Sequence, residues 1–526
     1  MQNSNYRIEE QELDHYIIST DIGSQSIKTA LYDEHGKLIN LFTQEMKLHK
    51  AAVGALIYYG DEVYEQTLTN IEHVIKDSNI DPTNVAILAF TGMGGGIICI
   101  DKYWVPISEY TNPLDNRDHP YFIDMMKQYG YLIRSVSGTG SPMGANKILW
   151  FKHEFPEIYQ KTKKFMLLTQ YVQGKMSGLK ASEAIWEFTS ASLSGLCESQ
   201  RFAWSEEVCD KLGIDGEKLP KIVNTTDIIG TLTREASIKC GLKEGVPIVA
   251  GAFDKPCDQL GSGSNKIGYI VDNAATYPAL TVCVDRYIPD EVFKTLDCIP
   301  SATQGLWIAM TYITGGGLTH KWFCENFCCE ELQSANALEC DAFSILDQKA
   351  AKLPPGSEGL YFIPHLSGRA TPSMPDVKGL WVGFSWTHNR EHFYRSILES
   401  IAYDHACSLR VVRDLYSHIR LNQVRVLGGG ASSSFWNQIK ANVLGLPYVK
   451  LNRNDTTVLG AAILGGASIG LFNDINETSV KFSEITEVFK PQEDLHNKYQ
   501  ESIDIYDLIF KELKTVYNRI AQITQD

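Results

Sequence analysis

Four stretches of this 526-residue sequence carry the residue types and spacings that chemistry between a phosphate and a hydroxyl requires. The first is "GAFDKPCDQLGSG" (251–263), which sets Asp254 and Asp258 among small and apolar residues directly after "VPIVA" (246–250), a buried-type strand. A carboxylate at the edge of a core is costly unless it is paired or employed. Within hydrogen-bond reach of a substrate hydroxyl, Asp254 would act as a general base. A helix starting near 255 would put Asp254 at or just before its N-cap, where the helix dipole favours the ionised form. Asp258, one turn on, then reads as a structural acid. The second stretch is "TDIGSQSIK" (20–28), an acid at a strand end followed by glycine and hydroxyls. That composition suits a phosphate held by backbone N–H groups, with a carboxylate nearby to hold Mg²⁺ through water. The third and fourth, "ITGGGLTHKWF" (313–323) and "LGGGASSSFWNQ" (427–438), are glycine turns between a strand and a helix. Backbone can approach a nucleotide closely there, at a helix N-terminus, although any tight strand–helix connection uses the same residues. None of them has the dinucleotide fingerprint or the P-loop spacing, which argues against a nicotinamide dehydrogenase and a P-loop enzyme.

The elements that must position these residues alternate strand and helix. "YIISTDIGSQSIKTALYD" (16–33) reads strand, turn, strand; 61–77 is an amphipathic helix, with Val63, Leu68, Ile71, Val74 and Ile75 at helical spacing; "VAILAF" (85–90) is a buried strand. The design returns at 267–285, 306–327 and 424–451, so the chain is α/β with two similar halves. The length exceeds one ordinary core. We divide it into an N-terminal extension 1–15, a first domain 16–262, a second domain 263–490 and a C-terminal helix 491–526. In that helix, Ile503, Tyr506, Ile509, Leu513 and Val516 recur at 3–4 spacing between Tyr499 and Ile520, which predicts packing on the second domain in preference to a dimer seam; a homodimer stays open. With 48 basic and 63 acidic residues the net charge is −15, which argues against nucleic acid as a partner but not against a small anion. The start of the chain has no basic, apolar signal pattern, and no apolar run reaches the length of about 18 residues that a span needs, so no membrane is expected and the location reads as cytoplasmic. The 12 cysteines are scattered; even "FCENFCCE" (323–330) lacks paired metal-ligand spacing, and buried thiols in a reducing compartment are expected.

In this order the motifs resemble the FGGY family of carbohydrate kinases, of the actin–hexokinase–Hsp70 superfamily, from about 16 to 490. The most specific segment is "GLWVGFSWTHNREHFYRSILE" (379–399), similar to the family's C-terminal signature at Gly379, Trp381, Gly383, Phe384, His392, Phe393, Ser396, Ile397, Leu398 and Glu399. "SPMGANKILWFKHE" (141–154) keeps Lys147, Ile148 and Trp150 of the N-terminal signature but departs at Gly144 and His153. The resemblance implies two ribonuclease-H-like domains flanking a central cleft. It implies ATP and Mg²⁺, with Asp21 near the metal, Ser24 and Gln25 near the ATP phosphates, and "DNAAT" (272–276) as a second phosphate loop. Thr276 there can donate, while Ala275 stands where the family usually has glycine. Gly315 and Gly316 would lie by the phosphates, Gly430 and Ser434 by adenine and ribose, and Asp254 would be the base.

On the substrate side "TGMGGGIICID" (91–101) resembles the xylulose-kinase segment, placing Met93 and Gly94 at the sugar. The family's histidine is Gly94 here, which leaves either a larger pocket or other polar contacts. Asp115 and Arg117 of "NPLDNRD" (112–118) are candidate sugar contacts, or Arg117 pairs with Asp115 or Asp118 and holds the loop. Trp186 or Glu187 would face the sugar. Lys255 is a phosphate contact or a solvated neighbour. The implied activity is ATP-dependent phosphorylation of a small sugar or polyol, a ketopentose such as xylulose first, with ribulose, a tetritol, glycerol and autoinducer-2 open. The alternative of another class is a non-catalytic actin-like nucleotide-binding regulator.

Overall fold

The computed structural model describes residues 15–50, 54–275, 278–313, 315–369, 371–372 and 374–524. All of the N-terminal extension but His15, and Thr276 of the second phosphate loop, lie outside the described residues.

Two large sheets of six and seven strands organise the chain. The first contains β1 (Tyr16–Ile22), β2 (Ser26–Asp33), β3 (Leu38–Glu45), β4 (Val85–Gly92), β5 (Ile228–Thr231) and β6 (Pro247–Val249), in the spatial order β5-β6-β4-β1-β2-β3. β1, β2 and β3 form an antiparallel meander, and β4 and β6 add parallel strands beyond β1. Between β3 and β4 lies α1 (Gly60–Ser78), whose buried face carries the expected Val63, Leu68, Ile71, Val74 and Ile75. The second sheet contains β7 (Ile270–Asn273), β8 (Ala279–Val284), β9 (Asp297–Pro300), β10 (Trp307–Tyr312), β11 (Val424–Leu427), β12 (Tyr448–Leu451) and β13 (Ile485–Phe489), ordered β9-β10-β8-β7-β11-β12-β13. Here β7, β8 and β10 form the meander, and β11 and β12 follow in parallel beyond β7. Both sheets thus share one core order, three antiparallel strands and two parallel ones, which is the ribonuclease-H-like topology. The repeat is one of architecture and not of sequence, because buried strands need only small, branched or aromatic apolar residues and not particular ones.

Two helices join the halves. α3 (Asp254–Gly261) follows β6, and α7 (Thr456–Ser468) follows β12, yet α7 packs on β1 and β4 of the first sheet while α3 touches β7 and β8 of the second. They cross at glycines. A Cβ on Gly261 would sit 1.8 Å from the Thr456 carbonyl oxygen, and one on Gly460 2.1 Å from that of Cys257, so only glycine permits this approach. Polar ties cross the same seam: Ser19 Oγ donates to the Val458 carbonyl at 2.6 Å and Tyr32 OH to Asp455 Oδ2 at 2.6 Å.

Four further helices matter to the site: α2 (Phe188–Leu193), α4 (Gly316–Phe327), α5 (Arg390–Leu415) and α6 (Ser434–Leu444). The single C-terminal helix expected from Tyr499 to Ile520 is two, α8 (Glu493–Glu512) and α9 (Lys514–Thr524). α8 buries Tyr499, Ile503, Tyr506 and Phe510 on the second core, and Tyr499 OH donates to Glu399 Oε1 of α5 at 2.8 Å. Val516 and Ile520, past the break, are exposed. Among the described residues no helix is long and apolar enough to cross a membrane.

Candidate active site

The end of β1 and the start of α3 come together, close enough for the charge of Asp254 to act on Asp21. Asp254 is the first helical residue, with Phe253 as N-cap. Lys255 lies between two acids, its Nζ 3.3 Å from Asp254 Oδ2 and 3.7 Å from Asp258 Oδ2. Asp258 is buried and accepts from Asn273 Nδ2 of β7 at 2.7 Å and Thr457 Oγ1 of α7 at 2.6 Å, so it ties α3 to β7 and α7. Asp254 is bonded by Lys255 alone among the described residues, and its side chain keeps 30% of its surface open. Burial pushes its carboxyl above the ordinary range; Lys255 opposes that and the charge of Asp258 adds to it. Desolvation thus acts against the helix dipole, worth about 1 kcal/mol at this first-turn position.

Asp21 ends β1 directly opposite Lys28 of β2, which places both side chains on one face. Burial, and then the charge of Asp254, raise the Asp21 carboxyl to about 7. Its Oδ1 is buried and has no hydrogen-bond partner among the described residues. A buried carboxylate oxygen lacking a donor, beside a second acid, is a place where a cation lowers the energy. Among the described residues no three ligating side chains converge. The donor set therefore fits Mg²⁺ held by one carboxylate with phosphate and water oxygens completing the shell. Ser24 and Gln25 form the exposed tip of the β1–β2 turn, anchored by their carbonyls: Ser24 accepts from Tyr58 OH at 2.5 Å and Gln25 from the Met46 N–H at 2.8 Å.

A cavity of about 800 Å³ opens on the second domain, between the end of β7, the start of α4 and the start of α6. Ala274, Ala275, Gly317, Gly429, Gly430 and Trp436 are among the residues lining it. Nothing lies within 4 Å of where a Cβ on Gly429 would be, whereas one on Gly430 would press on Ala274 and Trp436 at 2.7 Å. Ser433 caps α6 through the Trp436 N–H at 3.0 Å and donates to Asp347 Oδ2 at 2.6 Å. Ser434 is the first residue of α6, just behind the lining Ser433. Gly315 begins α4 at φ +76°, and the space beside Gly316 is closed by Pro278 at 2.8 Å, so Gly317 is the residue of this turn that reaches the cavity. Sequence reasoning missed Asp347 and His320. His320 stacks on Phe343 with centroids 4.2 Å apart, and burial holds its imidazole neutral, its pKa lowered to about 3. Asp347 lies in a segment without any motif.

Met93 and Gly94 follow β4, and the Met93 N–H donates to the Ile22 carbonyl at 3.0 Å, beside Asp21. A Cβ on Gly94 would stand 2.7 Å from Leu193 Cδ1 and 3.3 Å from Phe253 Cδ2. The missing side chain therefore opens no larger pocket; Leu193 and Phe253 fill its place. Both belong to an apolar cluster with Ile299, Ile308 and Met310 that joins the two domains next to Asp254. Asp115 and Arg117 form a bidentate pair, with Arg117 Nη2 at 2.6 Å from Oδ2 and Nε at 2.9 Å from Oδ1. The guanidinium stacks on Trp150 at 4.6 Å. Asp118 pairs instead with Lys147 at 2.9 Å. Trp186 and Glu187 do not face a sugar: they are 1% and 0% exposed. Glu187 caps α2 through the N–H groups of Thr189 and Ser190, at 2.6 and 2.9 Å, since free helix donors are what make a buried carboxylate tolerable. Thr189 Oγ1 in turn accepts from the Phe253 N–H at 3.2 Å, which steadies the backbone just before Asp254.

Residues 16–261 match the FGGY family of carbohydrate kinases, N-terminal domain, and residues 289–469 match its C-terminal domain. The chain belongs to the FGGY family. Its curated relatives include a xylulose kinase of Bacillus subtilis (strain 168), 25% identical over 502 residues, 95% of this chain and 97% of that one. A gluconokinase of the same strain is 25% identical over 511 residues, 96% of this chain and 98% of that one. Among solved structures, a gluconate kinase from Lactobacillus acidophilus superposes with a TM-score of 0.88 at 22% identity, covering 96% of this chain and 100% of that one. The protein is accordingly a carbohydrate kinase with the two-domain actin-like ATPase fold, of a family that uses ATP as phosphate donor. The C-terminal FGGY signature serves the fold. Its Trp381 donates through Nε1 to Ser396 Oγ at 3.1 Å, and Glu399 accepts from the Gly356 N–H at 3.0 Å and Ser357 Oγ at 2.8 Å.

Proposed function

We propose that this FGGY kinase transfers the γ-phosphoryl group of ATP to a hydroxyl of a small sugar or polyol, a ketopentose such as xylulose first, with Asp254 as general base. The observation that carries the reading is Asp254 itself: a cleft-facing carboxylate with one cation beside it, held above its ordinary pKa, next to the orphaned oxygen of Asp21. Phosphoryl transfer asks for positioning and charge neutralisation more than covalent help. Asp254 accepts the proton of the attacking hydroxyl, and Lys255, paired with both neighbouring acids, keeps enough of Asp254 ionised to do so. Asp21 would hold Mg²⁺, which when bound would neutralise phosphate charge. Lys28, opposite Asp21, and the turn of Ser24 and Gln25 address the phosphates from the first domain. The Gly315–Gly316 turn, reaching the cavity through Gly317, and Thr276 would address them from the second domain, with Gly430 and Ser434, behind the lining Ser433, at the adenosine. Met93, Gly94 and the rigid Asp115–Arg117 pair border the sugar. The α3–α7 crossing is the pivot for closing the cleft and excluding water.

With Leu193 and Phe253 beside Gly94, groups other than a histidine read the sugar. The test is ADP release by the purified protein over three- to six-carbon sugars, polyols and sugar acids, with and without Mg²⁺. Turnover on a ketopentose supports the reading. ATP binding without turnover on any of them replaces it with the non-catalytic regulator.

A further inference from the structure

A second buried charge pair lies behind the cavity of the second domain, outside the Asp21–Asp254 site. Lys440 Nζ stands 2.6 Å from Asp272 Oδ2, and both side chains are fully removed from solvent. Asp272 belongs to β7, two residues before the cavity-lining Ala274. Lys440 belongs to α6, one turn past the cavity-lining Trp436, and its Nζ lies 3.8 Å from the centroid of that ring. Tyr448 OH of β12 reaches the same Asp272 oxygen at 3.4 Å. From α5, His405 faces the pair, fully buried and with neither ring nitrogen bonded among the described residues. Asp272 Oδ1 is also without a partner.

Such a pair is a poor way to gain stability. Desolvating two ions roughly cancels their attraction, and apolar residues of the same volume pack as well or better. A buried charge pair does impose one thing that apolar packing does not, a fixed register between the elements that carry it. Burial pushes the Asp272 carboxyl up, and the charges of Lys440 and His405 with the Lys440 and Tyr448 hydrogen bonds more than reverse it, while burial lowers Lys440 against the pull of Asp272. The two elements it registers are the ones that end at the cavity: β7 leads into the loop at Ala274–Ala275, and α6 presents its N-terminus with Ser433 and Trp436.

We propose that Lys440 and Asp272 are positioning residues for the nucleotide, fixing the distance between the phosphate loop after β7 and the adenosine end of α6. The proposal rests on the reading that this cavity takes ATP. It is tested in the full-length protein with the double variant Asp272→Asn/Lys440→Met, which removes both charges at nearly constant volume and leaves no unpaired ion. The expected result is a melting temperature close to wild type, an ATP KM and an ADP Kd both raised at least tenfold, and a sugar KM unchanged. The single variant Lys440→Met, which strands a buried carboxylate behind the loop, is expected to lose more nucleotide affinity than the double variant. A double variant with wild-type ATP KM and ADP Kd overturns the proposal, as does an equal loss of affinity for sugar and ATP. Failure of the underlying reading looks different: wild-type protein would itself show no ATP turnover.

Discussion

Replacing Asp254 by Asn separates the chemical step from everything else the site does. The change is isosteric and leaves the helix start intact, because the Phe253 N–H keeps Thr189 Oγ1 and Lys255 keeps Asp258 at 3.7 Å. The cavity proposed for the nucleotide lies on the other domain and loses no lining residue. What disappears is the only acceptor proposed for the hydroxyl proton. General-base catalysis contributes about 100- to 10,000-fold, which corresponds to roughly 3–5 kcal/mol on the barrier. We therefore expect kcat to fall by that factor while ATP KM stays within about 3-fold. A second effect follows from the charge map. Asp254 is the main charged neighbour raising Asp21, so the Asn variant should ionise Asp21 at lower pH and bind Mg²⁺–ADP at least as tightly as wild type. The assays are coupled ADP release under saturating sugar and titration calorimetry with Mg²⁺–ADP. A folded variant that keeps more than about a tenth of wild-type turnover refutes the base assignment and leaves Asp254 as a structural acid like Asp258.

Three further outcomes are expected. Lys255→Met removes the cation that opposes desolvation of Asp254, so the carboxyl rises further and the acidic limb of the kcat/KM profile moves to higher pH; an unmoved limb shows that Lys255 does not tune the base. Gly460→Val drives a side chain into the Cys257 carbonyl and parts α3 from α7, costing about 3 kcal/mol or more by denaturant unfolding; a variant within 1 kcal/mol of wild type (roughly) would show that the crossing yields easily. Asp297 is buried, and desolvation raises it to about 6 despite its bond from the Gly140 N–H and the nearby charge of Arg134. From its ordinary value up to about 6 the native state holds a proton that the unfolded chain has lost, so stability falls across that window and the cost persists above it. Asp297→Asn should match wild type near pH 4 and exceed it by about 3 kcal/mol at pH 8, and an equal difference at both pH values refutes the assignment.

How far the site was legible follows from the kind of signal each part leaves. Glycine turns between a strand and a helix mark themselves in sequence, so the turns holding Gly315, Gly316 and Gly430 can be read directly, whereas that Gly317 and Gly429 also line the cavity cannot. Asp254 and Asp258 also stand out in an apolar run and are told apart by their place on the helix; the folded chain supplies the physical difference. One is bonded by Asn273 and Thr457, residues distant in sequence, and the other is left open to the cleft. The same holds for Lys255, whose two partners settle it as an ion-paired residue, and for Glu187, whose burial under a helix N-terminus no pattern announces.

The sequence by itself determined the α/β alternation, the two similar halves and the strand-end turns, since periodicity and glycine placement are local properties. The tertiary structure alone decided which helix serves which sheet, with α7 crossing back onto the first; that Leu193 and Phe253 occupy the place beside Gly94; and that Lys440 meets Asp272 behind the cavity of the second domain. Each of these depends on residues far apart in the chain sharing one buried volume, and burial sets both the free space and the charge state there.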